Sequence, residues 1–164
     1  MDFKDAWNIA CAELTPQPWD YTTPDGTTLR VIPAGLRADK GDAEVLVRIT
    51  RADATGLYSY GITGPNSRGV AEVGVTTTGL PALIEALTER AVWRDDNLVA
   101  GTLTVVAGEI AAMPDDAGGV LVAVTEVHSA EREETVAMRL PEAQRLPLAS
   151  ALRRALDVAR GWEA

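Results

Sequence analysis

The hydrophobic period of the chain switches at Gly79, and that switch limits the fold more than any other feature of the sequence. Before it, Glu44 to Arg51 alternates, with Val45, Val47 and Ile49 on one face and Glu44, Arg48 and Thr50 among the residues on the other. That is the period of a half-buried strand. After it, Leu80, Leu83, Ile84, Leu87 and Ala91 recur at helical spacing, and Pro81 falls in the first turn, where its missing donor costs nothing. The expected helix runs to about Trp93 and closes in a polar loop, Arg94 to Asn97.

Further strands are expected over Thr27 to Pro33, Leu57 to Ile62 and Val70 to Thr77, with a hairpin loop at Thr63 to Ser67. The second half repeats the plan: strands over Leu98 to Val106, Val120 to His128 and Glu133 to Leu140, the first two separated by a stretch containing Asp115 to Gly119. A closing helix from Pro147 follows, with Leu148, Leu152, Ala155, Leu156 and Ala159 on its apolar face and Gly161 as its stop. At the front, Phe3, Ala6, Trp7, Ala10, Cys11 and Leu14 share one helix face, Asp2 is placed as its N-cap, and Pro16 and Pro18 end it. Thr15 to Thr28 is then an extended connection carrying Trp19, Tyr21 and an Asp25-Gly26 turn.

The expected order, α-ββββ-α-βββ-α, implies an α+β fold: a largely antiparallel sheet from two β-meanders with helices packed on one face. At 164 residues a single domain over 1–164 is expected. Leu80-Pro81 with Ala86-Leu87 and Leu146-Pro147 with Ala151-Leu152 match only with a one-residue slip, so a weak repeat of 28–93 in 98–162 and a coincidence both stay open. In element order alone the arrangement resembles small, acidic, dimeric secretion-chaperone-like domains that hold partner segments. A shared topology does not establish a shared task.

Composition narrows the function classes. With 46% hydrophobic and 24% charged residues the chain is ordinarily globular. Its net charge of −9, from 24 acidic and 15 basic residues, repels phosphate backbones, so no nucleic-acid partner is expected. Lys4 and Lys40 are the only lysines, the arginine-rich usage of a high-GC bacterial genome. The lone Cys11 cannot form an intrachain disulfide, and the N-terminus, with Asp2 and Asp5, reads as neither a signal peptide nor a membrane span. A reducing cytoplasm is the expected location.

Catalytic patterns are weighed and set aside. His128 is the single histidine, and with Glu131, Glu133 and Glu134 it makes a poor ligand set for a transition metal, which commonly takes several nitrogen or thiolate donors. A serine or Cys11 nucleophile would have to recruit that same His128, and no G-x-S-x-G is present. Asp95-Asp96 and Asp115-Asp116 fall in expected turns, where Asp bonds its own backbone. Gly64 to Gly69 is followed by Val70-Ala71 where a phosphate loop requires Lys and Ser or Thr. No metal, cofactor or catalytic residue is therefore assigned.

Aromatic residues make up only 5% of the chain, so their placement carries information. Trp7, Trp93 and Trp162 fall on or beside helices and are expected in the core. Trp19, Tyr21, Tyr58 and Tyr60 fall on extended segments and form the candidate contact patch, since Trp and Tyr supply much interface energy. The expected function is a non-enzymatic protein-binding module of chaperone, adaptor or regulator kind, whose partner is another protein or a second copy. Two alternatives stand beside it: an antidote or immunity protein occluding a basic partner, and a small-molecule-binding or enzymatic domain with a pocket between sheet and helices.

Overall fold

The computed structural model describes residues 19–36, 43–53, 69–100, 107–129 and 132–163. The expected N-terminal helix and the strand expected over Leu57 to Ile62 lie outside them. Eight strands follow one another in space in chain order: β1 (Trp19–Thr22), β2 (Thr28–Leu36), β3 (Ala43–Thr50), β4 (Val70–Thr76), β5 (Trp93–Ala100), β6 (Ala107–Pro114), β7 (Val120–Ser129) and β8 (Arg132–Leu140). All neighbouring pairs are antiparallel. Helix α1 (Leu80–Glu89) joins β4 to β5, and α2 (Glu142–Glu163) follows β8. The fold is α+β, two four-stranded meanders each followed by a helix.

The meanders meet where β4 pairs with β5. Among the described residues that pairing joins Val73 with Ala100 and Gly74 with Val99. Beyond that joint β4 lies against β7 and β8, so the second meander turns back over the first, and every residue from Val70 to Val75 is buried. The helices cross over: α2 packs on β2 and β3, α1 reaches β5 and β6, and the two helices pack on each other. One core results, combining Val45, Val47 and Ile49 with Leu83, Leu87, Val122, Val124, Leu152 and Leu156.

Several boundaries differ from the sequence expectation, each for a local reason. Trp19 to Thr22, expected as a connection, is a strand because β2 pairs with it residue for residue, from Trp19 with Val31 to Thr22 with Thr28. Helix α1 ends at Glu89, short of Trp93: Arg90 adopts a left-handed conformation (φ 57°) and Ala91 N–H bonds back to the Ala86 carbonyl. Arg94 to Asn97, expected as a polar loop, belongs to β5, drawn into extension by pairs such as Trp93 with Ala112. β6 was not expected at all, since Ala107 to Pro114 contains one β-branched residue, Ile110.

Helix α2 begins at Glu142, five residues before the expected Pro147 start, and continues through Gly161 to Glu163. Its ends are fastened by carboxylates. Glu142 receives the Arg145 guanidinium, the Arg90 guanidinium and the Gly119 N–H (3.2 Å). Arg145 in turn donates to the Leu87 and Thr88 carbonyls (2.7 and 3.1 Å), capping the C-terminus of α1, where a cation also suits the helix dipole. At the far end Glu163 accepts from Ala43 N–H (3.0 Å) and the Thr77 hydroxyl, tying the helix to β3 and to the entrance of α1.

Two glycines make opposite predictions. Gly119 has φ +83°, and a Cβ there would sit 2.1 Å from the Leu140 carbonyl oxygen. Gly119→Ala is expected to cost about 2 to 4 kcal/mol in chemical denaturation, from left-handed strain plus a backbone overlap that cannot relax cheaply. A Cβ on Gly161 meets nothing within 4 Å, so Gly161→Ala should gain about 0.5 to 1 kcal/mol by stiffening the helix.

The α2 fastenings also predict acid sensitivity. The Thr77 hydroxyl and then Ala43 N–H hold the Glu163 carboxyl below its ordinary value of 4.5. At Glu142 desolvation pushes the carboxyl up, but the hydrogen bond and charge of Arg145, the charge of Arg90 and Gly119 N–H outweigh it and leave it below 4.5. Both groups are depressed on folding, so their contribution is present above pH 4.5 and is lost as pH falls through the folded values. A stability titration should therefore show a steeper acid limb below pH 4.5 in the parent protein than in Glu163→Gln.

Candidate functional site

β1 and β8 are the two ends of the sheet among the described residues, and between the β1–β2 turn and β8 lies an open groove of about 710 Å³. Tyr21 and the turn after β1, residues 23–27, form one wall. Leu121 of β7 and residues 137–141 form the other, and Asp115 and Gly118 of the β6–β7 turn contribute to the rim.

The first wall is built by a tight turn. Gly26 has φ +90°, its N–H bonds to the Thr23 carbonyl at 2.9 Å, and Thr23 N–H reaches the Thr27 carbonyl at 2.9 Å. The Thr23 hydroxyl and then Thr27 N–H (3.1 Å) bond the Asp25 carboxylate, which lowers its pKa below the ordinary 3.8. Asp25 is therefore an anion at the groove mouth at neutral pH. Across the groove Asp115 faces Arg139 at 3.6 Å, so its charge is largely met within the protein. The floor is apolar where Met138 and Leu140 turn into the core, while Ala137 is exposed.

Of the candidate contact residues, the structure brings Trp19 and Tyr21 to the core side of β1. Both are half-buried and packed against the hydrophobic cluster, and Tyr21 also lines the groove. Tyr58 and Tyr60 lie outside the described residues. The groove's opposite wall was not singled out from sequence, because Leu121, Ala137 and Met138 read there as ordinary strand positions. No local signal brings the β1–β2 turn opposite β8; only the folding of the second meander back over the first does so.

Other clusters serve the fold. Glu126 on β7 is 1% exposed, and its carboxylate accepts Glu72 N–H of β4 at 3.0 Å. Its cross-strand neighbour Glu134 accepts Gly69 N–H at 2.9 Å. Glu72 itself pairs with Arg48 on the adjacent strand. Glu126 and Glu134 thus serve amides of β4 and of Gly69 just before it, tying that strand to the second meander.

Glu133 is exposed and points to the opposite face of β8 from Glu134, while Asp95 lies three strands away, in register with Ile110, Val124 and Val136. The acidic residues of that region are thus spread over the sheet. His128 lies near the end of β7, and Glu131 is outside the described residues. Among the described residues no group of three His, Cys, Asp or Glu side chains could hold a metal, and no helix is long and apolar enough to cross a membrane.

Between sheet and helices the described side chains pack closely around one small void. The space among Leu29, Val47, Leu83, Ile110, Val122 and Leu152 amounts to about 10 Å³, the room of roughly one water.

Compared with protein-family models, with curated proteins and with solved structures, the chain matches none of them.

The buried carboxylate makes a separable prediction. Glu126→Leu removes the acceptor of Glu72 N–H and should cost about 1 to 3 kcal/mol in chemical denaturation, whereas Glu126→Gln keeps a carbonyl oxygen there and should lose less. Equal losses would assign the role of Glu126 to its charge.

Proposed function

We propose that the protein is a non-enzymatic protein-binding module, of chaperone, adaptor or regulator kind, and that the groove between the β1–β2 turn and β8 holds an extended segment of its partner. The observation that carries this reading is the position of the groove: it lies beside β8, an end strand with no further strand next to it among the described residues. An end strand presents a row of backbone donors and acceptors, and an incoming segment can satisfy them as an added strand while its side chains find pockets alongside.

The shape fits a chain segment better than a small ligand. The volume of about 710 Å³ is within the range of about 300 to 1,000 Å³ for small-molecule sites, but such sites bury most of their ligand's surface, and this one is an open trough. The void among the described residues of the sheet–helix interface, about 10 Å³, is far smaller than a substrate. Asp25 at the mouth and the net charge of −9 favour a partner segment that carries basic residues.

Affinity capture of the tagged protein, with light scattering on the eluate, tests the reading when run beside Ala137→Arg. Ala137 is exposed in the groove, so the variant should keep the parent's denaturation midpoint while its capture of a stoichiometric partner falls about tenfold or more. Undiminished capture would move the binding surface elsewhere. A protein that emerges alone and monomeric would end the binding-module reading.

A further inference from the structure

The outer surface of the helix pair carries charge of both signs in separate rows. α1 and α2 run antiparallel: Arg145 near the start of α2 bonds the carbonyls at the end of α1, and Glu163 at its end bonds Thr77 just ahead of α1. The open groove between them, about 300 Å³, has Glu85, Thr88 and Glu89 on one side and Arg153, Leu156 and Arg160 on the other. All four charged residues are exposed, and among the described residues none of them forms an ion pair. We propose that this face is a homodimer interface, in which a two-fold axis along the groove lays α1 of each copy on α2 of the other and pairs Glu85 and Glu89 with Arg153 and Arg160.

Self-complementarity favours a second copy over a foreign chain. A two-fold interface must carry both halves of every contact on one surface, and this face does so: α1 offers Glu85 and Glu89, one turn apart, and α2 offers Arg153 and Arg160, two turns apart on one line. Rotation about an axis along the groove keeps each charge at its height along the helices while moving it onto the opposite helix of the other copy. Rotation about an axis across the helices would instead set α1 on α1 and oppose like charges. Nor does Glu89 gain from its own helix, since it lies in the last turn of α1, where the dipole disfavours an anion. Arg160 is near enough to Glu163 for its charge to act on that carboxyl, yet makes no ion pair with it.

Surface ion pairs contribute little by themselves, so the apolar end of the face matters. Leu146 lies on the line of Arg153 and Arg160, seven residues before Arg153, and is 50% exposed, while Val92, just past the end of α1, is 72% exposed. Leu146 directly follows the residue that bonds the Thr88 carbonyl, so it stands level with the end of α1. The same rotation therefore brings Leu146 of one copy toward Val92 of the other, and symmetry repeats the contact. The charged rows set the register, and the apolar contacts add burial. This dimer does not rest on the binding-module reading, which concerns the groove beside β8.

Sedimentation equilibrium on the intact chain tests the interface by charge reversal. The parent should be dimeric by about 300 μM, and its dissociation constant should rise about tenfold as salt goes from about 50 to 500 mM. Glu85→Arg/Glu89→Arg and Arg153→Glu/Arg160→Glu should each be monomeric at that concentration, with denaturation midpoints close to the parent's because the changed side chains are exposed. An equimolar mixture of the two should dimerise again, since α1 of each then meets the opposite charge on α2 of the other. Leu146→Ser should weaken the parent dimer about tenfold, and Ala137→Arg should leave it intact. A parent that stays monomeric would overturn the proposal. So would a dimer that survives both charge reversals, two monomeric variants that fail to combine on mixing, or a dimer lost in Ala137→Arg, which would place self-association at the groove beside β8. Partner capture through that groove is a separate readout, so either reading can fail without the other.

Discussion

The structure turns on the burial of β4. From Val70 to Val75 both faces of this strand are covered, so each of its backbone groups must find a partner within the protein. β3 supplies one side in full register, and among the described residues β5 supplies two residue pairs on the other. Further acceptors come from the second meander, as the carboxylates of Glu126 and Glu134 reach Glu72 N–H and Gly69 N–H. A side chain that replaces a ladder bond fixes position as well as satisfying a donor. The joint between the two meanders is therefore set by polar contacts as much as by the apolar core.

The crossing of the helices follows from the same joint. Because the second meander turns back over β4, the helix that ends each half lies nearest the strands of the other, α2 on β2 and β3, α1 toward β5 and β6. The helices then need fastening across halves. Arg145 caps the last carbonyls of α1 from within α2, and Glu142 binds Arg145, Arg90 and the Gly119 amide together. Glu163 does the equivalent at the opposite end of α2. The bonds from Arg145 to α1, from Glu142 to Arg90 and from Glu163 to Ala43 and Thr77 link residues more than fifty positions apart in the chain, so they belong to the assembled fold and to no isolated half.

Much of this could be read from sequence, and the rest for definite reasons could not. The period-two pattern of β3 and the stripes of α1 and α2 are strong because each element buries a single face, and they appear where expected. β5 and β6 are obscure because pairing, and not side-chain preference, holds them extended: Trp93 to Asp95 is polar in character yet in register with Ile110 to Ala112. The start of α2 was concealed by Pro147, which reads as a first-turn residue but lies inside the helix on its exposed side. Glu126 gave no signal at all. An acidic residue in a valine-rich strand is read as solvent-facing unless the neighbouring strand's missing hydrogen bonds are known.

The same logic places the groove. A sheet whose halves fold over one another brings its first and last strands near each other, and a closed barrel would pair them and remove both edges. Here the turn after β1 is pressed down at Gly26, where a Cβ would meet the Ala52 side chain at 2.8 Å. Among the described residues β1 and β8 do not pair, and the trough between the β1–β2 turn and β8 has an anionic mouth at Asp25 and a strand edge alongside. An end strand keeps a row of backbone donors and acceptors available for pairing, so the groove lies where the sheet is open to a further strand.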